Sequence, residues 1–225
     1  MFDRITAIVP AYNAAAGIEA VLEKIKRHIP AGNIIVVDDG SIDDTAGIAA
    51  RSGAIVIRHE MNKGKGAAIR TAIPRLSSLP GIEGVVMLDA DGQHDPMEIP
   101  RFVEEFSKGR ADLIIGNRMA NRRGMPAIRV FANRLTSAVV SLRTGQRIPD
   151  SQNGYRLVRA SLLERLDLVT SRYEIDSEII IKACRARARV SSIPVNTIYG
   201  EEKSSIRPLH DALRFIALVI RSLFW

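Results

Sequence analysis

The chain has 225 residues, enough for one α/β domain that buries its own core. An apolar share of 46% and a charged share of 25% exclude disorder. The single cysteine, Cys184, excludes a disulfide framework or a cysteine-based metal centre within one chain and points to a reducing, cytoplasmic setting. Thirty-two Lys and Arg against 25 Asp and Glu give a net charge of +7, which favours an anionic partner without choosing among nucleic acid, lipid and phosphorylated substrate.

In chain order, Ile5–Val9 is a short apolar run ended by Pro10, and the sequence around it, MFDRITAIVPAYN, is not a signal peptide. Ile18, Val21, Leu22, Ile25 and Ile29 recur at helical spacing. Ile34–Val37 reads as a buried strand stopped by Asp38-Asp39-Gly40, and Asp43-Asp44-Thr45 caps a helix running to Ser52. Ala54–Ile57 is a third strand, and Lys65–Leu76 a helix that Pro74 bends or ends. Val85–Leu88 is a fourth strand leading into Asp89-Ala90-Asp91. Pro96–Ser107 is a helix with proline in its first turn, and Leu113–Ile115 is a fifth strand. Beyond these, Arg118–Arg129 reads as a mobile basic loop, Val130–Leu142 as an amphipathic helix, Asp150–Arg156 as a polar insert before another helix, and Leu209–Trp225 as a helix with apolar and basic residues. No stretch reaches the roughly 18 uninterrupted apolar residues of a membrane span.

Continuous apolar strands alternating with helices predict an α/β fold with a mostly parallel sheet covered on both faces. Residues 1–205 form one domain, and 206–225 an apolar and basic C-terminal helix. Ligands of such sheets bind beyond the carboxyl ends of the strands. The polar clusters Pro10–Asn13, Asp38–Ser41, Asp89–Gln93 and Gly116–Arg118 all fall at those ends, which predicts one shared site.

Asp89, Asp91 and the amide of Gln93 offer oxygen ligands only, suiting Mg²⁺ or Mn²⁺ rather than zinc. A carboxylate at Asp39 suits a base N–H or ribose hydroxyls, although Gly40 and Ser41 are ordinary turn residues. Asn62–Gly66 is not a Walker loop. Its glycines either let backbone N–H groups approach an anion or make a plain loop-to-helix junction. Arg118, Arg122, Arg123 and Arg129 form a basic cluster, with arginine's fork suited to phosphate. Asp150, Glu174, Asp176 and Glu178 include candidates for a general base, whereas His28, His59, His94 and His210 form no constellation and give no support to a Ser/His/Asp triad.

In this order, IVPAYN (Ile8–Asn13), VVDDGSIDDT (Val36–Thr45), NKGKGAA (Asn62–Ala68), LDADGQHDP (Leu88–Pro96), GNR (Gly116–Arg118), DSQNGYR (Asp150–Arg156) and IPV (Ile193–Val195) resemble the family 2 inverting glycosyltransferases with a GT-A fold, in particular their dolichyl-phosphate mannosyltransferase-like branch. The resemblance implies nucleotide binding by Pro10, Tyr12, Asp39, Lys65, Asp89 and Ala90, and metal binding by Asp89, Asp91 and Gln93. It implies an acceptor phosphate held by Arg118 and by an arginine near Arg129, with Asp91, Arg118 and Asp150 serving catalysis. The chain departs from the pattern at Ala14, where members often carry an acidic residue after the asparagine, so the base stays open.

The expectation is a metal-dependent transfer of sugar from a UDP- or GDP-sugar to a polyprenyl phosphate, by a chain that sits peripherally on the cytoplasmic face of a membrane. The rivals are transfer to a saccharide or lipid hydroxyl using Asp150, Glu174 or Asp176 as base, and sugar-nucleotide binding without catalysis. Nucleic acid is not expected as a partner, because only 5% of residues are aromatic and no zinc-finger spacing occurs.

Overall fold

A computed structural model of the chain describes residues 1–122, 125–196, 198 and 208–225. Arg123 and the boundary expected at residue 205 lie outside them. The strands are β1 (Ile5–Ala11), β2 (Ile34–Asp38), β3 (Ile55–Arg58), β4 (Gly84–Met87), β5 (Leu113–Asn117), β6 (Arg156–Arg159) and β7 (Val190–Pro194). The helices are α1 (Ile18–Lys26), α2 (Thr45–Arg51), α3 (Lys65–Ala72), α4 (Ile99–Ser107), α5 (Ala127–Thr144), α6 (Ala160–Leu163), α7 (Ile175–Arg185) and α8 (Pro208–Ser222).

All seven strands form one sheet in the order β3-β2-β1-β4-β6-β5-β7. β6 runs antiparallel to β4 and β5, and every other pairing is parallel. Side chains alternate across a strand. In β1, Ile8 therefore joins Ile35, Ile69, Ile175 and Ile179 in one apolar layer, whereas Ala7 and Val9 join Leu22, Ile25, Phe102 and Val103 in the other. This is the two-faced parallel sheet that the apolar runs predict.

One local expectation holds, at Pro74, and three others change. The helix beginning at Lys65 stops as an α-helix at Ala72 and continues as a tighter 3₁₀ turn over Ile73–Ser78, because Pro74 has no N–H to donate. The basic segment after β5 is shorter than expected: α5 already starts at Ala127 behind Pro126, so Arg129 stands in its first turn. The polar insert at Asp150 leads into β6, with the short α6 after it, rather than directly into a helix. β7 forms at the sheet edge from a run with no strong apolar pattern.

That edge is fastened by one carboxylate. Asp112 accepts hydrogen bonds from Arg189 Nε (2.9 Å), Arg189 Nη2 (3.0 Å) and the Arg189 N–H (3.1 Å), and from Arg159 Nε (3.0 Å), joining the starts of β5 and β7 to the end of β6. The Arg189 hydrogen bonds, helped by Arg159 and opposed by partial burial, hold its carboxyl well below the ordinary range. A carboxyl depressed in the folded state contributes stability above its unfolded pKa and loses it as pH falls towards the folded value. Asp112→Asn should therefore lower the free energy of unfolding at pH 7 by about 1–2 kcal/mol, allowing for solvent screening. In urea titrations the gap between variant and wild type should shrink below about pH 4.

Candidate active site

The carboxyl ends of β1, β2, β4 and β5 carry the expected clusters to one edge of the sheet. After β1 the chain turns through Asn13, which has a positive φ of 50°. The loop is then zipped to the segment after β2: Asn13 N–H donates to Ser41 Oγ (2.9 Å), Ala14 N–H to Thr45 Oγ1 (2.8 Å), and Ile42 N–H to Asn13 Oδ1 (3.0 Å). Pro10 is half-buried within β1, and Tyr12 projects with about half its surface exposed.

Asp39 is only 3% exposed. Its carboxylate accepts from the N–H groups of Lys63 (2.8 Å) and Gly64 (2.7 Å) and lies 2.7 Å from His59 Nδ1, whose Nε2 is 2.9 Å from Thr71 Oγ1. The group expected to meet a nucleotide is occupied inside the protein, where it ties the 62–64 loop to the end of β2. Protein backbone closes on Gly64 and on Gly66, the latter in the first turn of α3. A Cβ at Gly64 would collide with the Ser171 carbonyl, and one at Gly66 would stand 2.7 Å from the Thr170 carbonyl. Ala67 N–H donates to that same Ser171 oxygen (3.1 Å).

Beyond β4, Ala90 is buried and Asp91 is exposed, with Asp91 Oδ1 accepting from Gln93 N–H at 3.0 Å. Lys65 Nζ reaches both oxygens of Asp89, at 2.7 and 3.0 Å. Burial disfavours this ammonium, but Asp176 and Asp89 outweigh it and raise its pKa. His94 Nδ1 accepts from Asp89 N–H (3.1 Å), and its ring stacks on Tyr155. Burial, against the pull of Asp89, brings this imidazole down to about 4, so it is neutral near neutral pH. The histidines dismissed from sequence thus include two that hold site residues in place. His94 stands five residues from Asp89, a weak local signal, whereas His59 lies 20 residues from Asp39 and gave none.

The donor set fits a small hard cation: two carboxylates and an amide oxygen, without nitrogen or sulfur. Among the described residues no group of three or more His, Cys, Asp or Glu is placed to cage an ion. Mg²⁺ does not require one, since it keeps waters and takes substrate phosphates as ligands. Both Asp89 oxygens face Lys65, whereas Asp91 is exposed and Gln93 half-buried.

At the end of β5, Arg118 is clamped by Asp150 through Nε (2.9 Å), Nη2 (3.0 Å) and the backbone N–H (3.0 Å), and Asn133 Nδ2 of α5 adds a fourth donor at 2.6 Å. Burial works against this fully enclosed carboxylate, yet the Arg118 and Asn133 interactions overcome it and lower its pKa.

The acidic residues of α7 separate by role. Glu178 is fully buried and accepts from the N–H groups of Val169 (2.8 Å) and Thr170 (2.9 Å). Asp176 is buried between Lys65 and Arg156. Glu174 stays half-buried at the helix start. Arg122 and Arg129 are exposed. A cavity of about 460 Å³ beside α5 is lined by Arg122, Met125, Val130, Phe131 and Arg134, and not by Arg129.

Comparison with known proteins bears on the family and the fold. The model for "Glycosyl transferase family 2" matches residues 6–167. The UDP-N-acetylglucosamine–dolichyl-phosphate N-acetylglucosaminyltransferase of Methanococcus voltae is 32% identical over 86% of this chain and 85% of its own length. The undecaprenyl-phosphate mannosyltransferase of Micrococcus luteus is 29% identical over 90% of this chain and 88% of its own. Glucosyl-3-phosphoglycerate synthase from Mycobacterium tuberculosis, solved with Mn²⁺, UDP and glucosyl-3-phosphoglycerate, superposes with a TM-score of 0.71 at 22% identity, covering 98% of this chain and 78% of that one. The seven-stranded α/β domain is thus a GT-A fold, and the chain is a glycosyltransferase belonging to glycosyl transferase family 2.

Proposed function

We propose that the protein transfers a sugar, with inversion at the anomeric carbon, from a UDP- or GDP-sugar to a polyprenyl phosphate at a membrane surface. The observation that carries this reading is the state of the acidic residues. Asp150, Asp176 and Glu178 are buried and held by cations and N–H groups, so none is placed to take a proton from a hydroxyl. A phosphate acceptor needs no such base, because its oxygen is already anionic. That oxygen attacks the anomeric carbon as the bond to the diphosphate oxygen breaks, and the nucleoside diphosphate leaves with the bonding pair. Arg118, pinned by Asp150, supplies a fixed guanidinium for the incoming phosphate, and positioning of this kind is worth several kcal/mol of a barrier. Arg134 is the better second phosphate ligand: both it and Arg129 are exposed, but only Arg134 lines the cavity.

The nucleotide lies against Pro10, Tyr12 and the loop that Asp39 shapes, with Lys65, Asp89 and Ala90 beneath the diphosphate. A divalent cation held by Asp91 and Gln93 would neutralise that diphosphate. The relatives named for dolichyl- and undecaprenyl-phosphate transfer support the acceptor class, and the UDP- and Mn²⁺-bound neighbour supports the donor side.

The membrane reading rests on two helices. On α5 two of the three buried positions, Asn133 and Ser137, are polar and the third is Val140, whereas Ile128, Phe131, Leu135 and Leu142 face outwards. On α8, Leu213, Ile216, Ile220 and Leu223 also face outwards, beside exposed Arg214 and Arg221. No helix among the described residues is long and apolar enough to span a bilayer. Apolar stripes flanked by arginine suit helices lying in an anionic interface.

A second reading, transfer to a hydroxyl, is favoured by one observation: Glu174 Oε2 is buried without a hydrogen-bond partner. The two readings rank variants oppositely. Arg118→Ala should lower transfer to polyprenyl phosphate by about 10- to 100-fold, as expected for charged hydrogen bonds. Glu174→Gln should change it by less than about threefold. The reverse ranking in a radiolabelled-sugar assay would overturn the phosphate reading.

Saturating UDP or GDP with Mn²⁺ should raise Tm by about 5–10 °C, as binding at a hundredfold excess over Kd implies. Asp91→Ala should abolish the shift; no shift with either nucleotide in wild type would remove the donor assignment. Finally, Phe131→Asp or Ile220→Asp should weaken flotation with phosphatidylglycerol vesicles by about tenfold or more, the value of one buried large side chain. Tm should stay within about 2 °C in both, since these side chains are exposed.

A further inference from the structure

Four charged side chains run inwards from the donor site in single file: Asp89, Lys65, Asp176 and Arg156. Their side-chain exposures fall along the file, from 28% through 12% and 6% to 0%. Each is joined to the next: Lys65 Nζ to Asp89 at 2.7 Å, Lys65 Nζ to Asp176 Oδ2 at 3.2 Å, and Arg156 Nη2 to Asp176 Oδ1 at 3.1 Å. Arg156 is further anchored by donating Nη1 to the Asp176 carbonyl (2.7 Å) and Nη2 to the Asn153 carbonyl. The backbone of Gly154 closes over the ammonium, since a Cβ there would collide with Lys65 Nζ.

The file is neutral in sum, two cations against two anions. Burying four charges is a poor way to stabilise a fold, because desolvation offsets most of the attraction and apolar side chains of similar volume serve as well. It is a good way to hold one geometry, since a displaced member would leave its neighbours unpaired. Only the outermost member, Asp89, opens towards the cleft. The geometry therefore has a direction, from a rigid inner anchor to an outer carboxylate.

We infer that Asp176 and Arg156 are positioning residues for the donor site: Arg156 fixes Asp176, Asp176 holds the Lys65 ammonium, and Lys65 sets the Asp89 carboxylate. With Asp176 retaining the ammonium, Asp89 can turn towards a bound donor without stranding a buried charge. Only this last link rests on the proposed function; the inner relay is a property of the protein alone.

Two measurements test it, on the full chain. The first is ligand-free urea unfolding of Lys65→Met, Arg156→Lys and their combination. Lys65 and Arg156 meet through Asp176, so their effects should be non-additive with Asp176 present and additive in an Asp176→Asn background. Additivity in both backgrounds overturns the relay, whether or not the chain handles nucleotides. The second is sugar transfer by Asp176→Asn, with Asp176→Glu as the conservative control. Asp176→Asn should lower kcat by about tenfold or more while donor KM moves by less than about threefold, with partial recovery in Asp176→Glu. Unchanged kcat, or a loss carried by KM alone, overturns the link to the donor site. If wild type binds neither UDP nor GDP with Mn²⁺, the proposed function falls, and the unfolding cycle still decides the relay.

Discussion

The site depends on the reversed direction of β6. Six strands point their carboxyl ends at one edge of the sheet, and β6, bonded antiparallel between β4 and β5, presents its amino end there instead. This brings the Asp150–Arg156 segment between the Asp89 loop and Arg118. Asn153 Nδ2 donates to the Gly116 carbonyl (2.6 Å), and Tyr155 Oη donates to the Asp95 carbonyl (3.0 Å). One short segment thus joins the ends of β4 and β5. An unpaired strand at this position would leave a row of backbone groups without partners in the sheet interior.

Carboxylates gathered at one edge repel each other, and burial aggravates the cost. The fold answers by giving each its own donors: Lys63 and Gly64 N–H for Asp39, Lys65 for Asp89, Arg118 and Asn133 for Asp150, Arg156 for Asp176, and the Val169–Thr170 backbone with Lys182 for Glu178. These five acids are held by loops and cations, while Asp91 stays exposed beyond the end of β4.

The parallel half of the sheet was legible because β1, β2 and β4 are buried on both faces and read as apolar runs, and the half-exposed edge strand β3 keeps the same apolar pattern over residues 55–57. β6 was not, because its first residue is Arg156, whose guanidinium is fully buried by long-range partners that no local pattern reveals. β7 was obscured by exposed and half-exposed positions at the sheet edge. The strand-end acids were found, yet their neighbours were invisible: Asp39 meets His59 and the 63–64 backbone, and Lys65 meets Asp176 across 111 positions. Sequence patterning reports which face a residue takes; it does not report what closes over a charge.

The same reasoning explains the orientation of α5. Its inner face must satisfy Asp150 and the turn after it, so Asn133 donates to the carboxylate and Ser137 accepts from Ser151 N–H (2.8 Å). Two of the three buried positions of this 18-residue helix, Asn133 and Ser137, are polar and the third is Val140, while Ile128, Phe131, Leu135 and Leu142 stand outside. The polarity of the site and the apolarity of the outer face are therefore two consequences of one packing choice. In the proposed reading, the helix that steadies Arg118 through Asp150 is also the one that lies in the membrane, so a lipid phosphate delivered along that surface arrives beside the guanidinium meant to receive it. α4 shows the other arrangement, with Phe102, Val103 and Phe106 turned inwards.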